Sequence, residues 1–236
     1  MSLISTIDLG CSQSFESPFL TVDVDWAHDE ILEDAIDLVS VTGASCTWML
    51  THKTDLADDL SRNPRFEIGL HPNFNDLLEG TVDRDGGAAG ILDRLLNVYP
   101  EARTVRSHSV TQSARLSSLF FERGIRFESN DYIPAAQISF LQPWSLENGI
   151  TKVPFFYSDQ LVCASTAPEL RELVSRRGLK VFNFHPIHIF LNTESLDRYE
   201  RTRSLHTNPK ELFKYRYNGY GTRNRFIELL ELIKDQ

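Results

Sequence analysis

The sequence predicts an α/β domain whose sheet is mainly parallel. Short apolar runs rich in β-branched and aromatic residues alternate along the chain with amphipathic segments of helical period. Strands that alternate with helices favour parallel pairing, because each helix carries the chain back across the sheet. A chain of 236 residues is long enough for one such domain with a sizeable core. About seven strand–helix units fit either an incomplete barrel or an open doubly wound sheet.

The first half of the chain contains four predicted strands, over residues 19–25, 44–50, 66–70 and 104–106. Amphipathic helices are predicted over 29–41, where Thr42-Gly43 ends the periodic pattern, and about 55–61. A polar, glycine-rich loop over 80–87 precedes another helix, which Pro100 ends. This half therefore predicts four consecutive units of the repeating pattern.

The second half continues the alternation less regularly. Helices are predicted over 112–123 and 168–177, and strands over 125–128, 153–157 and 180–184. The aromatic segment 132–148 has no assignable period. Asn208-Pro209 is a good start for a C-terminal helix, and the final helix carries an apolar stripe at Phe226, Leu229, Leu230 and Ile233. We predict one domain over 1–236, with a core over 17–195 and C-terminal helices over 208–236.

Polar residues suited to catalysis or metal binding follow five of these strands. They are Asp23 and Asp25, His52, His71, Arg106 with His108, and His185. Because carboxyl ends of parallel strands meet at one edge of a sheet, these side chains are expected to lie close together. Asp23 and Asp25 point to the same face of their strand. Two neighbouring carboxylates require a divalent cation, an arginine or a shared proton unless they are simply solvated.

Composition excludes several classes of partner. The net charge is −9 and no long basic cluster is present, which argues against nucleic acid or an anionic membrane surface as the main partner. No stretch approaches the roughly eighteen apolar residues of a membrane span. Cys11, Cys46 and Cys163 form no CxxC pair and read as reduced thiols, with Cys46 and Cys163 in the core. With no signal-peptide pattern at the N-terminus, we expect a cytoplasmic protein.

Four stretches, in this order, resemble the polysaccharide deacetylase (NodB-homology, carbohydrate esterase 4) superfamily. They are Thr21-Val22-Asp23-Val24-Asp25, Glu67-Ile68-Gly69-Leu70-His71 with Asn75, Val105-Arg106-Ser107-His108 and Val181-Phe182-Asn183-Phe184-His185. Each is weak alone, but their order and spacing are specific, and the resemblance spans about residues 19–192. The sequence is most similar to variants whose first motif reads DVD, found among deformylases of lipid-linked sugars and deacetylases of surface-polysaccharide biosynthesis.

This resemblance implies a distorted, incomplete (β/α) barrel of about seven strands with a C-terminal helical extension, and one divalent metal ion. The implied metal is zinc, with nickel or cobalt as alternatives. Asp23 would be the general base, and Asp25 and His71 metal ligands. Arg106 would hold Asp23 ionised, and His185 would be the general acid.

The third metal ligand departs from the family pattern, because Asn75 replaces the second histidine of HxxxH. Pro72 suits a first helical position, which would place His71 and Asn75 one turn apart, so we favour Asn75. An amide oxygen is nevertheless a weaker zinc ligand than imidazole, and His108 is the alternative. His52 and His188 are further candidates for the substrate cleft or for ligation. The sequence Arg106-Ser107-His108-Ser109 also departs from the family's third motif.

The expected function is metal-dependent N-deacetylation of an acetamido sugar or glycan in polysaccharide or glycoconjugate biosynthesis. A deformylase would use the same machinery with a smaller acyl pocket. The alternative that is not an enzyme is a catalytically silent barrel that binds sugar or serves as a scaffold. The replacement of the family's second histidine by Asn75 is the reason for considering it. A metal hydrolase acting on phosphate esters is less favoured, because further clustered Asp/His motifs are absent from the sequence. The sequence leaves the oligomeric state open.

Overall fold

The computed structural model describes residues 2–80, 86–161 and 168–234. Its strands, numbered in chain order, are β1 (Pro18–Asp23), β2 (Cys46–Leu50), β3 (Phe66–Leu70), β4 (Thr104–Val105), β5 (Phe127–Glu128), β6 (Trp144–Ser145), β7 (Thr151–Lys152), β8 (Tyr157–Ser158) and β9 (Lys180–Phe184). They form one sheet in the order β6-β7-β5-β4-β3-β2-β1-β9-β8. Every pair is parallel except β6 with β7.

Helices connect these strands and follow the last one. They are α1 (Asp29–Thr42), α2 (Ala57–Arg62), α3 (Asn75–Leu78), α4 (Gly87–Val98), α5 (Ala114–Glu122), α6 (Leu170–Ser175), α7 (Pro186–Leu191), α8 (Leu196–Thr202), α9 (Pro209–Phe213) and α10 (Thr222–Lys234). Within the described ranges, no helix is long and apolar enough to cross a membrane.

The predicted incomplete barrel is confirmed as a curled, open sheet, with nine strands rather than about seven. The difference comes from residues 144–158. The segment without an assignable period contributes β6, which pairs with β7 as an antiparallel hairpin. Of the strand predicted over 153–157, only Tyr157 lies in a strand, β8. The chain before it passes between β7 and β8, with an isolated bridge from Phe155 to Tyr132 and single backbone hydrogen bonds from Val153 and Phe156 to neighbouring segments.

The amino-terminal end of the sheet is filled by the segment that precedes β1. Ile4 is fully buried there, and the Ser5 backbone N–H donates to Glu67 Oε2 at 3.1 Å. Glu67 also accepts hydrogen bonds from the Thr47 and Thr104 hydroxyls, so its carboxylate is satisfied by neighbouring strands. Filling this end leaves the carboxyl ends of the strands as the accessible edge.

The helices cover the sheet much as their apolar periods predict. α1 begins at Asp29 and ends at Thr42, and the following Gly43 has a φ of 68°, the left-handed conformation that glycine adopts readily. The apolar stripe of α10 is buried, and the Asn208 side chain caps α9 as predicted. α10 packs on α1, α6 and α7. Cys46 is a buried thiol as expected, whereas Cys11 is exposed and Cys163 lies outside the described residues.

Candidate active site

The carboxyl ends of β1, β3, β4 and β9 surround one cavity of about 250 Å³. Asp23 is the last residue of β1, and Asp25 follows in a left-handed backbone conformation with φ 47°. The cavity is lined by Asp23, Asp25, His71, Ser107, His108, Ser109, Val110, Phe155, Ser158, Gln160, Leu161, Asn183 and His185. Polar residues predicted from four strand ends therefore do converge in space.

Asp23 is a buried carboxylate held by an arginine and an asparagine. Arg106 Nη1 donates to Asp23 Oδ1 at 2.9 Å, and Asn183 Nδ2 donates to Asp23 Oδ2 at 2.8 Å. Burial raises the pKa of Asp23, but the Arg106 charge and the nearby His71 and His185 outweigh burial and lower it. Asp23 is consequently ionised at neutral pH, as a general base must be.

Arg106 is fixed by contacts on every side. Its Nε and Nη2 donate to the backbone oxygen and hydroxyl of Ser129 at 2.9 and 2.8 Å, and its guanidinium lies 4.4 Å from the centre of the Phe155 ring. Its Nη1 also donates to Thr21 Oγ1 at 2.8 Å. These contacts hold the guanidinium in place, so that Arg106 orients the Asp23 carboxylate.

Within the described ranges, the side chains of Asp25, His71 and His108 bring their ligand atoms close enough together to hold one metal ion. One ligand atom from each lies within 4.8 Å of the others. Asp25 Oδ1 is 3.1 Å from His71 Nε2 and 3.0 Å from His108 Nδ1. Burial raises the pKa of Asp25, but hydrogen bonds from His108 and His71 outweigh it and hold the pKa well below its usual range.

These residues fit a zinc-like ion, since imidazole and carboxylate are among its ordinary ligands. His71 Nδ1 is 2.6 Å from the Arg106 backbone oxygen, so this nitrogen carries the hydrogen. Only Nε2 is then left to hold either a proton or a metal ion, the arrangement common among metal-binding histidines. Burial lowers the pKa of His71, but Asp23 and Asp25 outweigh burial and raise it.

His185 is paired with a carboxylate that sequence reasoning missed. Asp159 Oδ1 is 2.6 Å from His185 Nδ1, and Asp159 Oδ2 accepts the His185 backbone N–H at 2.9 Å. His185 Nε2 points towards the other acids, 3.8 Å from Asp23 Oδ2 and 3.7 Å from Asp25 Oδ2. Burial lowers the pKa of His185, but Asp159, Asp25 and Asp23 outweigh burial and raise it to about 9.

Three other predicted residues do not line the cavity. α3 begins at Asn75, so His71 and Asn75 do not share a helical turn as the Pro72 argument expected. The Asn75 amide donates to Ser109 Oγ at 3.2 Å instead. His52 pairs with Thr51 Oγ1, and His188 is buried in α7 beside Thr193 and Tyr199. None of the three lines the cavity in the part of the chain described.

Two residues of the site, Asn183 and Asp159, were not predicted as site residues, although the sequence contains a signal for each. Asn183 lies two positions before His185 on β9, and alternation along a strand places it on the same face. Asp159 directly follows β8, so the rule applied to the other strand ends would have found it had the strand been placed correctly.

Comparisons with known proteins identify the family of the chain. The family model described as "WbmS-like: Polysaccharide deacetylase" matches residues 20–203. The crystal structure of a predicted polysaccharide deacetylase involved in O-antigen biosynthesis, from Bordetella bronchiseptica, is 38% identical with a TM-score of 0.91. The match covers 100% of this chain and 98% of that chain.

A predicted polysaccharide deacetylase from Mycobacterium smegmatis shares only the fold. It is 14% identical with a TM-score of 0.51, over 77% of this chain and 80% of that one. No curated protein matches the chain. The extent of the family match and the 38% identity over the whole chain establish that this protein belongs to the WbmS-like polysaccharide deacetylase family.

Proposed function

We propose that the protein is a metal-dependent N-deacetylase that hydrolyses the acetamido group of an amino sugar in polysaccharide or glycoconjugate biosynthesis. The observation that carries the proposal is the placement of an ionised acid, Asp23, and a protonated histidine, His185, beside the Asp25–His71–His108 cluster. Amide hydrolysis needs this combination, because water must lose a proton and the leaving nitrogen must gain one.

The proposed metal ligands are Asp25, His71 and His108, with His108 taking the place first given to Asn75. A zinc ion held there would supply Lewis-acid polarisation of the amide carbonyl. Asp23 accepts a proton from the attacking water through its carboxylate, which Arg106 and Asn183 keep ionised and oriented. His185 donates the Nε2 proton to the departing nitrogen, while Asp159 holds the opposite ring nitrogen. The products are acetate and the free amino sugar.

The biosynthetic setting is inferred from the Bordetella bronchiseptica relative, which is described as involved in O-antigen biosynthesis. A deformylase remains the second candidate, because the same acid, base and ligand cluster would hydrolyse a formamide. Cytoplasmic location, the absence of a nucleic-acid partner and the identity of the metal stay predictions.

Metal content is the first test. Elemental analysis of the purified protein should find about one equivalent of zinc or a similar ion per chain. Acetate or formate release should then be measured on a panel of N-acetyl and N-formyl sugars. Less than about a tenth of an equivalent, with no uptake of added zinc, nickel or cobalt, would contradict the hydrolase and favour the silent barrel.

The Asp23→Asn variant separates the base from the ligands. It should retain the metal and lose on the order of 10²–10⁴-fold in kcat, the usual contribution of a positioned base. Loss of metal from this variant would mean that Asp23 is a ligand, and unchanged kcat would remove it from the mechanism.

A further inference from the structure

Two departures from the family pattern touch each other in the structure. Asn75 stands where the family has its second histidine, and Ser109 lies in the altered third motif. The Asn75 side-chain amide donates to Ser109 Oγ at 3.2 Å. Ser109 directly follows His108, whose Nδ1 lies 3.0 Å from Asp25 Oδ1. The contact therefore joins the position at which the family has a ligand to the turn that carries a proposed ligand in this chain.

The turn that carries His108 has an unfavourable backbone. Ser109 has a φ of 56° and Val110 a φ of 49°, so two consecutive non-glycine residues are left-handed. The Val110 N–H donates to the Ser107 oxygen at 2.9 Å, and the Thr111 N–H donates to the His108 oxygen at 3.4 Å. These bonds close the turn on itself. Because a strained conformation persists only where the surrounding structure holds it, contacts to other segments matter here.

Hydrogen bonds attach this turn to the segment that follows β3. The His108 N–H donates to the Pro72 oxygen at 2.9 Å, just before the left-handed residues. The Asn75 amide reaches the left-handed part itself, at Ser109. The same segment begins with His71, another proposed ligand. These bonds therefore fix the position of one ligand relative to the other.

We propose that Asn75 is a positioning residue for the metal site: by holding Ser109, it stabilises the left-handed turn that presents His108 as the third ligand. The inference rests on the metal site of the proposed function. A turn already held in its binding conformation loses less conformational freedom when the ion binds, so the affinity is higher. Residues that support a metal ligand commonly change metal affinity by about 10–100-fold. One partly exposed hydrogen bond is expected at the lower end of this range.

The zinc affinity of the full-length protein tests this proposal without measuring turnover. Metal-free protein competes with a chromophoric chelator for zinc, which gives a Kd for each variant. Asn75→Ala and Ser109→Ala should each bind one equivalent at saturating zinc, with a Kd raised about tenfold. The double variant should bind no more weakly than either single variant, because both substitutions remove the same hydrogen bond. A tenfold change leaves a tight zinc site occupied, so metal content alone does not report it.

Asn148 provides the matched control. Like Asn75 it is half-buried, and its side chain accepts the Ile150 N–H at 3.1 Å between β6 and β7. Asn148→Ala should leave the zinc Kd unchanged.

Two further variants separate positioning from general destabilisation. Adding Ser109→Gly to Asn75→Ala should recover part of the affinity, because glycine adopts the left-handed conformation without steric cost. Adding Asn75→Ala to His108→Ala should leave the weak residual Kd unchanged, because Asn75 acts through His108. A residue that only supports the fold would weaken the residual binding as well.

Several results would overturn the inference: an unchanged Kd in Asn75→Ala, additive losses in the double variant, no recovery with Ser109→Gly, or a further loss on adding Asn75→Ala to His108→Ala. Failure of the wild-type protein to bind zinc would overturn it together with the proposed function. Zinc binding that depends on Asn75 in a protein that releases neither acetate nor formate would support this inference while contradicting the proposed function.

Discussion

This sheet carries two clusters of charged and titratable side chains, one buried and one partly exposed beside the cavity, and only the second has the properties expected of an active site. The first, called the Glu128–Lys152 cluster, consists of Glu128 on β5, Lys152 on β7, and the neighbouring Asp131 and Gln112. Lys152 Nζ donates hydrogen bonds to Glu128 Oε1 at 2.8 Å and to Gln112 Oε1 at 3.0 Å, and it forms an ion pair with Asp131 Oδ2 at 2.8 Å. Glu128 accepts further hydrogen bonds from Ser117 and Asn130. Each charge has an internal partner.

The Asp25–His71–His108 cluster is organised differently. Its ligand atoms converge on one point, and they adjoin a cavity that a small molecule can enter. Both clusters contain acids and buried side chains, although Asp25 and His108 are partly exposed, so burial of charge does not by itself mark a site. Convergence of ligand atoms beside an accessible space is the property that distinguishes them. The following substitutions test this contrast.

The largest effect is expected from removing a metal ligand. His71→Ala and His108→Ala should each lower metal content from about one equivalent to nearly none, and abolish turnover, because two remaining ligands hold zinc weakly. Asn75→Ala should retain the metal, since the Asn75 amide binds Ser109. Elemental analysis measures the metal content of each variant, and circular dichroism confirms that the variant is folded. Metal loss from Asn75→Ala with retention in His108→Ala would reverse the proposed ligand assignment.

A smaller effect is expected at the histidine–carboxylate pair. His185 donates only while it is protonated, so activity should fall as the pH rises through its pKa of about 9. Asp159→Asn removes a negative charge that raises this pKa, so the alkaline limb of the pH–kcat profile should move to lower pH. Asp131→Asn, which alters the Glu128–Lys152 cluster instead, should leave the limb in place. An unmoved limb in Asp159→Asn would contradict the assignment of His185 as the acid.

The smallest effect on the site is expected from the Glu128–Lys152 cluster itself. Lys152→Met leaves Glu128 buried without its cation and should lower the free energy of unfolding by about 3–5 kcal/mol. Metal content should not change. Urea denaturation measures the loss, with Arg62→Met as control, because Arg62 pairs with exposed acids and should change stability by less than about 1 kcal/mol. Loss of metal from folded Lys152→Met would mean that the two clusters are coupled.

Much of the candidate site could be predicted because the polar residues follow long, strongly apolar strands. β1, β2, β3 and β9 are five or six residues long, and Asp23, His71 and His185 lie at or directly after their ends. Their positions follow from the pattern and from parallel pairing alone. The rule that polar residues at strand ends converge fails at His52, which follows β2 but hydrogen-bonds to Thr51 and does not line the cavity.

The short strands of the second half depend on contacts between distant parts of the chain, which the local hydrophobic pattern does not show. β6, β7 and β8 are two residues each, too short to display alternation, and their pairing is fixed by packing across the sheet. Asp159 was missed for this reason, because its strand could not be placed. Preference for Asn75 over His108 followed a helical spacing that the chain does not adopt, since α3 starts only at Asn75.

The shortness of the outer strands also has a consequence for solubility. An open sheet has two edges whose unpaired backbone groups invite another chain to add a strand. Here the edges are β6, Trp144–Ser145, and β8, Tyr157–Ser158, each offering only two residues for pairing, and β8 is buried. Such short edges give an incoming strand little to extend along. The sheet can therefore stay open around its cavity without presenting a long template for aggregation.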